Sequence, residues 1–379
     1  MKRVREDVRS YVVILFIAAI VAHAQTRNIR PQHTAFHVEA PIPKASSLRP
    51  EDPIKAVLAA FDRYEVVGMD AAHGNRDLDD LILRLLRDPN FPRKVDDIAV
   101  ECGNSLYQPV LDRYIAGGEV KLSEVRPVWR DTTQPMCSVS GFYEILFPLV
   151  RRINQRLTAG KKLRVLAGDP PLDWNKVKEQ SEVMLDRDAN IASVMESEVL
   201  SKHRKALMLF GTFHLFHENQ TGGHTPIPGM GSAVQRYEVH YPGLTMVIGT
   251  FMVFDNSTAS PTAEEFQTRM SSWPVPSLAQ NLKSTWLMDM DPYFFSKMVD
   301  AYLYLGPSDL LLAEPRLAET FLNREYMGKL RRRGEVIGDK FLTNQMDPDS
   351  VSDDNFSPYL FGTFPNTPRP PPVIPEHRD

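Results

Sequence analysis

Asp70, His73 and Asp77 fall within eight positions in VVGMDAAHGNRDLDD, residues 66–80, directly after an apolar run. An imidazole of ordinary pKa can take a proton from water near neutral pH, and a carboxylate beside it can orient the ring and hold its charge. The pattern recurs along the chain. Glu101 closes the apolar run DIAVEC (97–102), Asp169 follows KLRVLAG (162–168), and His214 and His217 follow KALMLFG (205–211). A glutamate that finishes an apolar run is partly buried, and a buried carboxylate needs a partner or its pKa rises. An imidazole, an arginine or a metal ion would serve, and the plainest case is a structural Glu–Arg pair. His73, Glu101 and His214 make a two-histidine, one-carboxylate set of the type that holds a divalent metal ion with open positions. The spacing of His214 and His217 is a weaker signal than HExxH and does not name zinc. No GxSxG elbow is present to supply a serine nucleophile. Helix capping is the simpler account of some neighbours. Asn75 suits an N-cap, and Asp77, Asp79 and Asp80 suit the positive end of a helix dipole. Capping does not account for Asp70 or His73.

Such residues act together only if the fold delivers them to one place. YEVVGM (64–69), DIAVEC, KLRVLAG, KALMLFG, LTMVIGTFMVF (244–254) and DAYLYLG (300–306) read as strands. Helical stretches alternate with them: 51–62, 76–88, 105–117, 141–157 (interrupted by a proline) and 189–203. Unbroken apolar runs alternating with helices predict an α/β fold, a mostly parallel β-sheet with helices on both faces in a single main domain. Ligands of such sheets bind beyond the carboxyl ends of the strands. Asp70, His73, Glu101, Asp169 and His214 are all expected at that edge. ENQTGGHTPIPGMG (218–231) is a surface loop or a mobile lid over it.

The 379 residues carry 44 basic and 48 acidic side chains, a formal charge of −4. That balance gives no basic surface for nucleic acid, so no nucleic-acid partner is expected. MKRVREDVR, the apolar SYVVILFIAAIV and the small-x-small AHA ending at Ala24 read as a signal peptide over 1–24. The apolar stretch is short of the ~20 residues of a bilayer span. The expectation is an exported protein, periplasmic or secreted, with no stable membrane span after cleavage. Residues 25–50 read as a linker, 51–340 as the α/β domain and 341–379 as a proline-rich, disordered tail. Export would permit a disulfide, but two cysteines in so long a chain make no disulfide framework. Cys102 and Cys137 are therefore expected as separate small buried residues, or Cys102 lining a site, with a bridge as the alternative.

The ordered motifs resemble the erythromycin-esterase-like and ChaN/Tiki-like superfamily over residues 60–215. Met69-Asp70-Ala71-Ala72-His73-Gly74 with Asp77 is similar to a Gly-Glu-x-x-His-Gly motif followed by an acid. IAVEC supplies the strand ending in glutamate, LAGDPPLDW the Asp169 motif, RDANIA (187–192) the Arg-Asp helix start, and GTFH (211–214) the histidine after a strand. The chain departs from the pattern by aspartates at 70 and 77, Met69 and Ile191. The resemblance implies a hydrolase of an ester or peptide bond, acting on a small molecule or peptide. His73 would be the base and Glu101 its orienting partner. His214 and Arg187 would bind substrate or stabilise an oxyanion, Asp70 and Asp77 would set the electrostatics, and Arg76 and Asp169 would join the substrate-binding set. The Tiki-like relatives imply a divalent-metal-dependent peptidase-like enzyme at His73, Glu101 and His214. The ChaN-like relatives imply a haem or apolar-ligand binder, with FMVF (251–254) and DAYLYLG offering apolar and tyrosyl surface.

Overall fold

The computed structural model describes residues 48–71, 74–218, 231–250, 261–282, 285–290, 294–307, 310–312, 314–315 and 317–339. The expected signal peptide, nearly all of the expected linker and the tail lie outside these residues, as do His73 and the FMVF segment. No helix among the described residues is long and apolar enough to cross a membrane.

The strands are β1 (Val66–Asp70), β2 (Asp97–Asn104), β3 (Arg164–Asp169), β4 (Ala206–Phe210), β5 (Thr245–Thr250), β6 (Ser277–Ala279) and β7 (Ala301–Tyr304). They form one sheet in the order β3-β2-β4-β1-β5-β7-β6, parallel throughout except that β6 runs antiparallel to β7. The principal helices are α1 (Pro53–Ala60), α2 (Arg76–Arg87), α3 (Gln108–Ala116), α4 (Phe142–Asn154), α5 (Arg187–Glu198), α6 (Ala233–Glu238), α7 (Pro261–Met270) and α8 (Arg324–Ile337).

Alternation along the strands feeds two cores. Val67, Met69, Ile98, Val100, Leu207 and Leu209 pack with α1 to α4 on one face. Val66, Ala99, Ala206, Met208 and Phe210 pack with α5, α6 and α7 on the other. Both faces are covered, so every residue of β1, β2 and β4 is buried. The steps β1 to β2 to β3 run toward one edge, and β3 to β4 to β5 run back. Right-handed crossovers then put the two sets of helices on opposite faces. The connections diverge where β1, β4 and β2 lie side by side, which opens a crevice at their carboxyl ends.

Local sequence explains the best-formed elements. In α2, Asn75 accepts from Leu78 N at 3.1 Å, acids fill the first turn and Arg84 and Arg87 the last, as the helix dipole favours. Gly74 before it has φ 83°, left-handed backbone that favours glycine. α4 runs unbroken through Pro148, where an interruption was expected, because Tyr143, Leu146, Phe147 and Val150 anchor both halves in the core. α8, absent from the sequence reading, has a thin apolar face of Met327 and Leu330, between the N-cap Asn323 and Gly338 at φ 69°. β6 is only three residues long and gives no periodic signal.

Both margins of the sheet are tied to the chain. Gln108 donates from Nε2 to Val165 O (2.8 Å) and accepts from Ala167 N (2.7 Å) along β3. Asn154 does the same for Leu163, donating to its carbonyl and accepting from its N–H, each at 2.8 Å. Beyond β6, Glu51 and Leu278 exchange backbone bonds of 2.8 and 3.0 Å. At the amino ends, buried Asp97 of β2 accepts from Arg164 and Arg204, with closest contacts of 2.7 and 2.6 Å, bracing β2, β3 and the approach to β4.

The expectation of separate thiols is corrected, for Cys102 and Cys137 form a disulfide with their Cα atoms 5.4 Å apart. The pairing joins β2 to a 3-10 turn, Pro135–Val139, that shows no periodicity in the sequence.

The carboxyl end of β3 is packed to the limit of its glycine. A Cβ on Gly168 would stand 2.5 Å from the Phe210 ring and 3.0 Å from Val100 O. Gly168→Ala is expected to cost about 1–3 kcal/mol, typical of overpacking. Urea denaturation checks this, and a variant as stable as the parent would show that Phe210 can move aside.

Candidate functional site

Strand register brings the carboxyl ends level. Asp70 pairs with Phe210, Val100 pairs with Leu209, and Ala71 N donates to Phe210 O at 2.9 Å. Glu101 and Gly211 leave the sheet side by side, and the carboxylate accepts from Gly211 N at 2.6 Å through Oε2. Its other oxygen, Oε1, accepts from Arg187 Nη2 at 2.8 Å. Arg187 stands at the first position of α5, which Asp186 caps through Ala189 N at 3.0 Å. Arg187 Nε donates to Asp169 Oδ1 at 2.7 Å. One guanidinium thus bridges carboxylates from two adjacent strands. Asn190 Nδ2 donates to Gly168 O at 2.8 Å and fixes the start of α5 against β3.

Glu101 and Asp169 are 2% and 0% exposed. Burial raises the Asp169 carboxyl above its ordinary value, and Arg187 and the N–H and hydroxyl of Thr133 pull it back. Thr133 donates at 2.7 Å from its N–H and 3.0 Å from Oγ1. Burial works against the charge on Arg187, but Glu101 and Asp169 outweigh it and hold the guanidinium above its usual range.

His214 completes the group. Its Nδ1 lies 2.8 Å from Asp188 Oδ1, which also accepts from Ala233 N at 2.8 Å. Its Nε2 lies 3.3 Å from Arg187 Nη1 and 3.6 Å from Glu101 Oε1. Burial alone would lower its pKa, but the bond to Asp188 and the nearby Glu101 carboxylate raise it to about 9. His214 is therefore an imidazolium at neutral pH. It suits stabilising negative charge or giving up a proton, and does not suit taking one.

The remaining expected residues divide. Asp70, 1% exposed, sits at the end of β1 and accepts from Thr250 Oγ1 at the end of β5. Asp77 accepts from Leu312 N at 2.6 Å and Arg76 N donates to Leu312 O at 2.9 Å, so both pin the chain around 312 to the start of α2. The Arg76 side chain faces solvent beside Asp80, 3.6 Å away, apart from the Glu101–Arg187 group. His217 is separate from His214, with Nδ1 and Nε2 each 2.8 Å from Glu238 and Asp300 respectively. Asp79 is more than a cap: enclosure first, then Glu314 and Asp80, push its carboxyl well above the ordinary value. Buried Glu314, not singled out in the sequence, accepts from Ser140 Oγ (3.0 Å) and Phe142 N (2.6 Å), and its N–H donates to Gly74 O (2.7 Å).

The sequence reading also passed over Thr133 and Asp188. Asp188 adjoins Arg187 within the quoted RDANIA, and its signal was a second acid at a helix start. Thr133 carries no periodic or motif signal.

A metal ion does not fit the described donors. Glu101 and His214 are the two described members of the expected triad, and Arg187 bonds the one and lies against the other, where a second cation would meet its charge. Among the described residues no group of three His, Cys, Asp or Glu side chains could hold a metal ion. The tyrosines of DAYLYLG belong to the core, the commoner place for such residues, and offer no surface to a haem. Tyr302 and Tyr304 are buried, with ring centroids 5.3 Å from Phe266 and 6.0 Å from Trp273 respectively.

A cavity of about 320 Å³ adjoins the ends of β2 and β3, lined by Leu106, Pro171, Leu172, Lys176 and Val177 among others. Another of about 350 Å³ lies between α2 and the Val275–Pro276 turn, and neither cavity is lined by Glu101, Asp169, Arg187 or His214.

No family model matches the chain, and neither does any curated protein. Among solved structures, a Bacillus cereus protein is similar over 68% of this chain and 94% of its own, at 11% identity and a TM-score of 0.46. The type III effector HopBA1 is similar over 56% and 89%, at 14% and 0.34. A succinoglycan biosynthesis protein is similar over 54% and 72%, at 13% and 0.36. At these values the likenesses bear on no residue's role.

The raised histidines make stability depend on pH. A base whose pKa is higher folded than unfolded stabilises fully below the unfolded value and loses that contribution as pH rises through the folded one. For His214 the window runs from 6.5 to about 9, and for His217 from 6.5 to about 10. Urea denaturation between roughly pH 6 and 10 is expected to show stability falling by about a few kcal/mol, with His214→Gln and His217→Gln each flattening part of the slope. A parent protein equally stable across the range would reject the charged-imidazole assignment.

Proposed function

We propose that the chain is a hydrolase of ester or peptide bonds, exported from the cytoplasm, that works at the carboxyl edge of its sheet. The observation that supports this most is the group formed by Glu101, Arg187, His214 and Asp169, gathered from β2, α5, the turn after β4 and β3. His214 Nε2 lies 3.3 Å from Arg187 Nη1 and 3.6 Å from Glu101 Oε1, so the two cationic side chains converge beside one carboxylate. Asp188 fixes the other ring nitrogen and with it the orientation of the ring.

In this reading His73 activates water, as the family resemblance implies. Glu101 accepts from a backbone N–H and a guanidinium, so it orients and does not take the proton. His214 and Arg187 meet the oxyanion as it forms, with their positive charges held in place by Asp188, Asp169 and Glu101. Asp70 contributes its field from the end of β1, and Asp169 holds Arg187 in place. The disulfide accords with an oxidising compartment and thus with export.

The test is hydrolysis of a broad panel of esters and peptides by the purified chain. His73→Ala is expected to abolish turnover with the fold retained. His214→Gln is expected to lower kcat by roughly 10²–10³, the cost of one oxyanion donor. Full activity in His73→Ala would reject the base assignment, and inactivity of the parent across the panel would reject the reading.

A further inference from the structure

The end of β2 is where the register of the sheet turns irregular. Its register with β3 is regular from Asp97 to Val100, then shifts before Asn104 meets Asp169. Its pairing with β4 ends at Val100 and Leu209. Glu101, Cys102 and Gly103 therefore leave the regular ladder on both sides, in an irregularity of the kind that re-aims side chains near sites.

The segment 131–139 is joined to this stretch. Cys137 bonds to Cys102, the residue after Glu101. Asn104 Nδ2 donates to Asp131 O at 2.7 Å, and its Oδ1 accepts from Leu106 N at 3.0 Å. From α8, Arg333 Nη2 donates to Asp131 Oδ1 at 2.5 Å and Nη1 to Arg130 O at 2.8 Å. The same segment carries Thr133, which donates from both its N–H and its hydroxyl to Asp169. It thus touches the end of β2 covalently and the end of β3 through hydrogen bonds.

We propose that the Cys102–Cys137 disulfide and Thr133 are the positioning elements of the strand-end site. The disulfide ties the backbone beside Glu101 to the segment 131–139 and holds Thr133 on Asp169. Asp169 in turn fixes Arg187, and Arg187 fixes the distance between Glu101 and His214. The disulfide lies with Cys102 on the α4 face, while Arg187 approaches from α5, so the linkage works through the backbone of β2 and the carboxylate of Asp169. Both sulfurs are buried, which makes the bond a permanent part of the folded chain. This inference rests on the strand-end reading of the site but not on the reaction assigned to it.

Amide hydrogen exchange on the full chain tests it. Two reporters are the N–H of Thr133, bonded to Asp169, and the N–H of Gly211, bonded to Glu101. The references are Ile98 and Leu207, paired within the ladder. In the double variant Cys102→Ala, Cys137→Ala, both reporters are expected to lose at least about tenfold more protection than the references, since local opening and global unfolding then separate. Thr133→Val, with the disulfide intact, is expected to speed exchange at Gly211 about tenfold and leave the references unchanged. Uniform loss across all four amides would make the disulfide a general staple and overturn the proposal. So would an unchanged Gly211 in Thr133→Val, which decides alone should the double variant not fold. Selective exchange in a chain that cleaves no substrate would sink the hydrolase reading and keep the positioning role. Cleavage with uniform exchange would do the reverse.

Discussion

Two carboxylates buried at the ends of neighbouring strands repel each other and lose their water, and a single guanidinium meets both needs. Arg187 donates in two directions, from Nε to Asp169 and from Nη2 to Glu101. The planar fork of arginine suits this division, whereas an ammonium would offer one point of charge. The surrounding structure serves that placement: the Asp186 cap starts α5 at the right residue, and Asn190 ties the first turn to β3. Buried ion groups are weak stabilisers, because well-packed apolar residues often do as well. A cluster of this kind at the mouth of a crevice is better understood through what it can do to a ligand.

The opposite end of the sheet makes the comparison clear. There one carboxylate, Asp97, meets two arginines that reach in from the surface, each about a third exposed. That arrangement leaves spare positive charge in solvent and braces three chain segments. At the carboxyl end the proportions are reversed, with more acid than arginine, and the deficit is made up by His214. Its imidazolium is thus a product of the cluster as much as a member of it: Asp188 and Glu101 supply the field that keeps the proton on the ring.

Much of this was legible in the sequence because parallel sheets impose a strong rule. Strands buried on both faces read as apolar runs, and the residue that follows each run falls on a common edge. Asp70, Glu101, Asp169 and His214 were placed by that rule alone. The need of Glu101 for a partner was also readable, with arginine and imidazole among the choices, and the structure supplies both. Which arginine was another matter, since Arg187 is 86 residues away and no local pattern joins the two. Thr133 was invisible for the same reason, in a segment that follows no period. The pairing of Cys102 with Cys137 could not be derived from two thiols without a framework. Arg76 shows the rule's limit: nearness in sequence to a strand end does not turn a side chain inward once a helix has begun.

The side-chain amides along β3 bear on how the molecule behaves among its own copies. An outermost strand ordinarily presents a row of unmet donors and acceptors that another extended chain can adopt, which is how fibrils and swapped dimers begin. Here Asn154 and Gln108 already occupy Leu163, Val165 and Ala167, and Glu51 occupies Leu278 on the far side. A second molecule arriving edge-on finds those groups spoken for. An added strand at either rim would have to displace these bonds before it could pair.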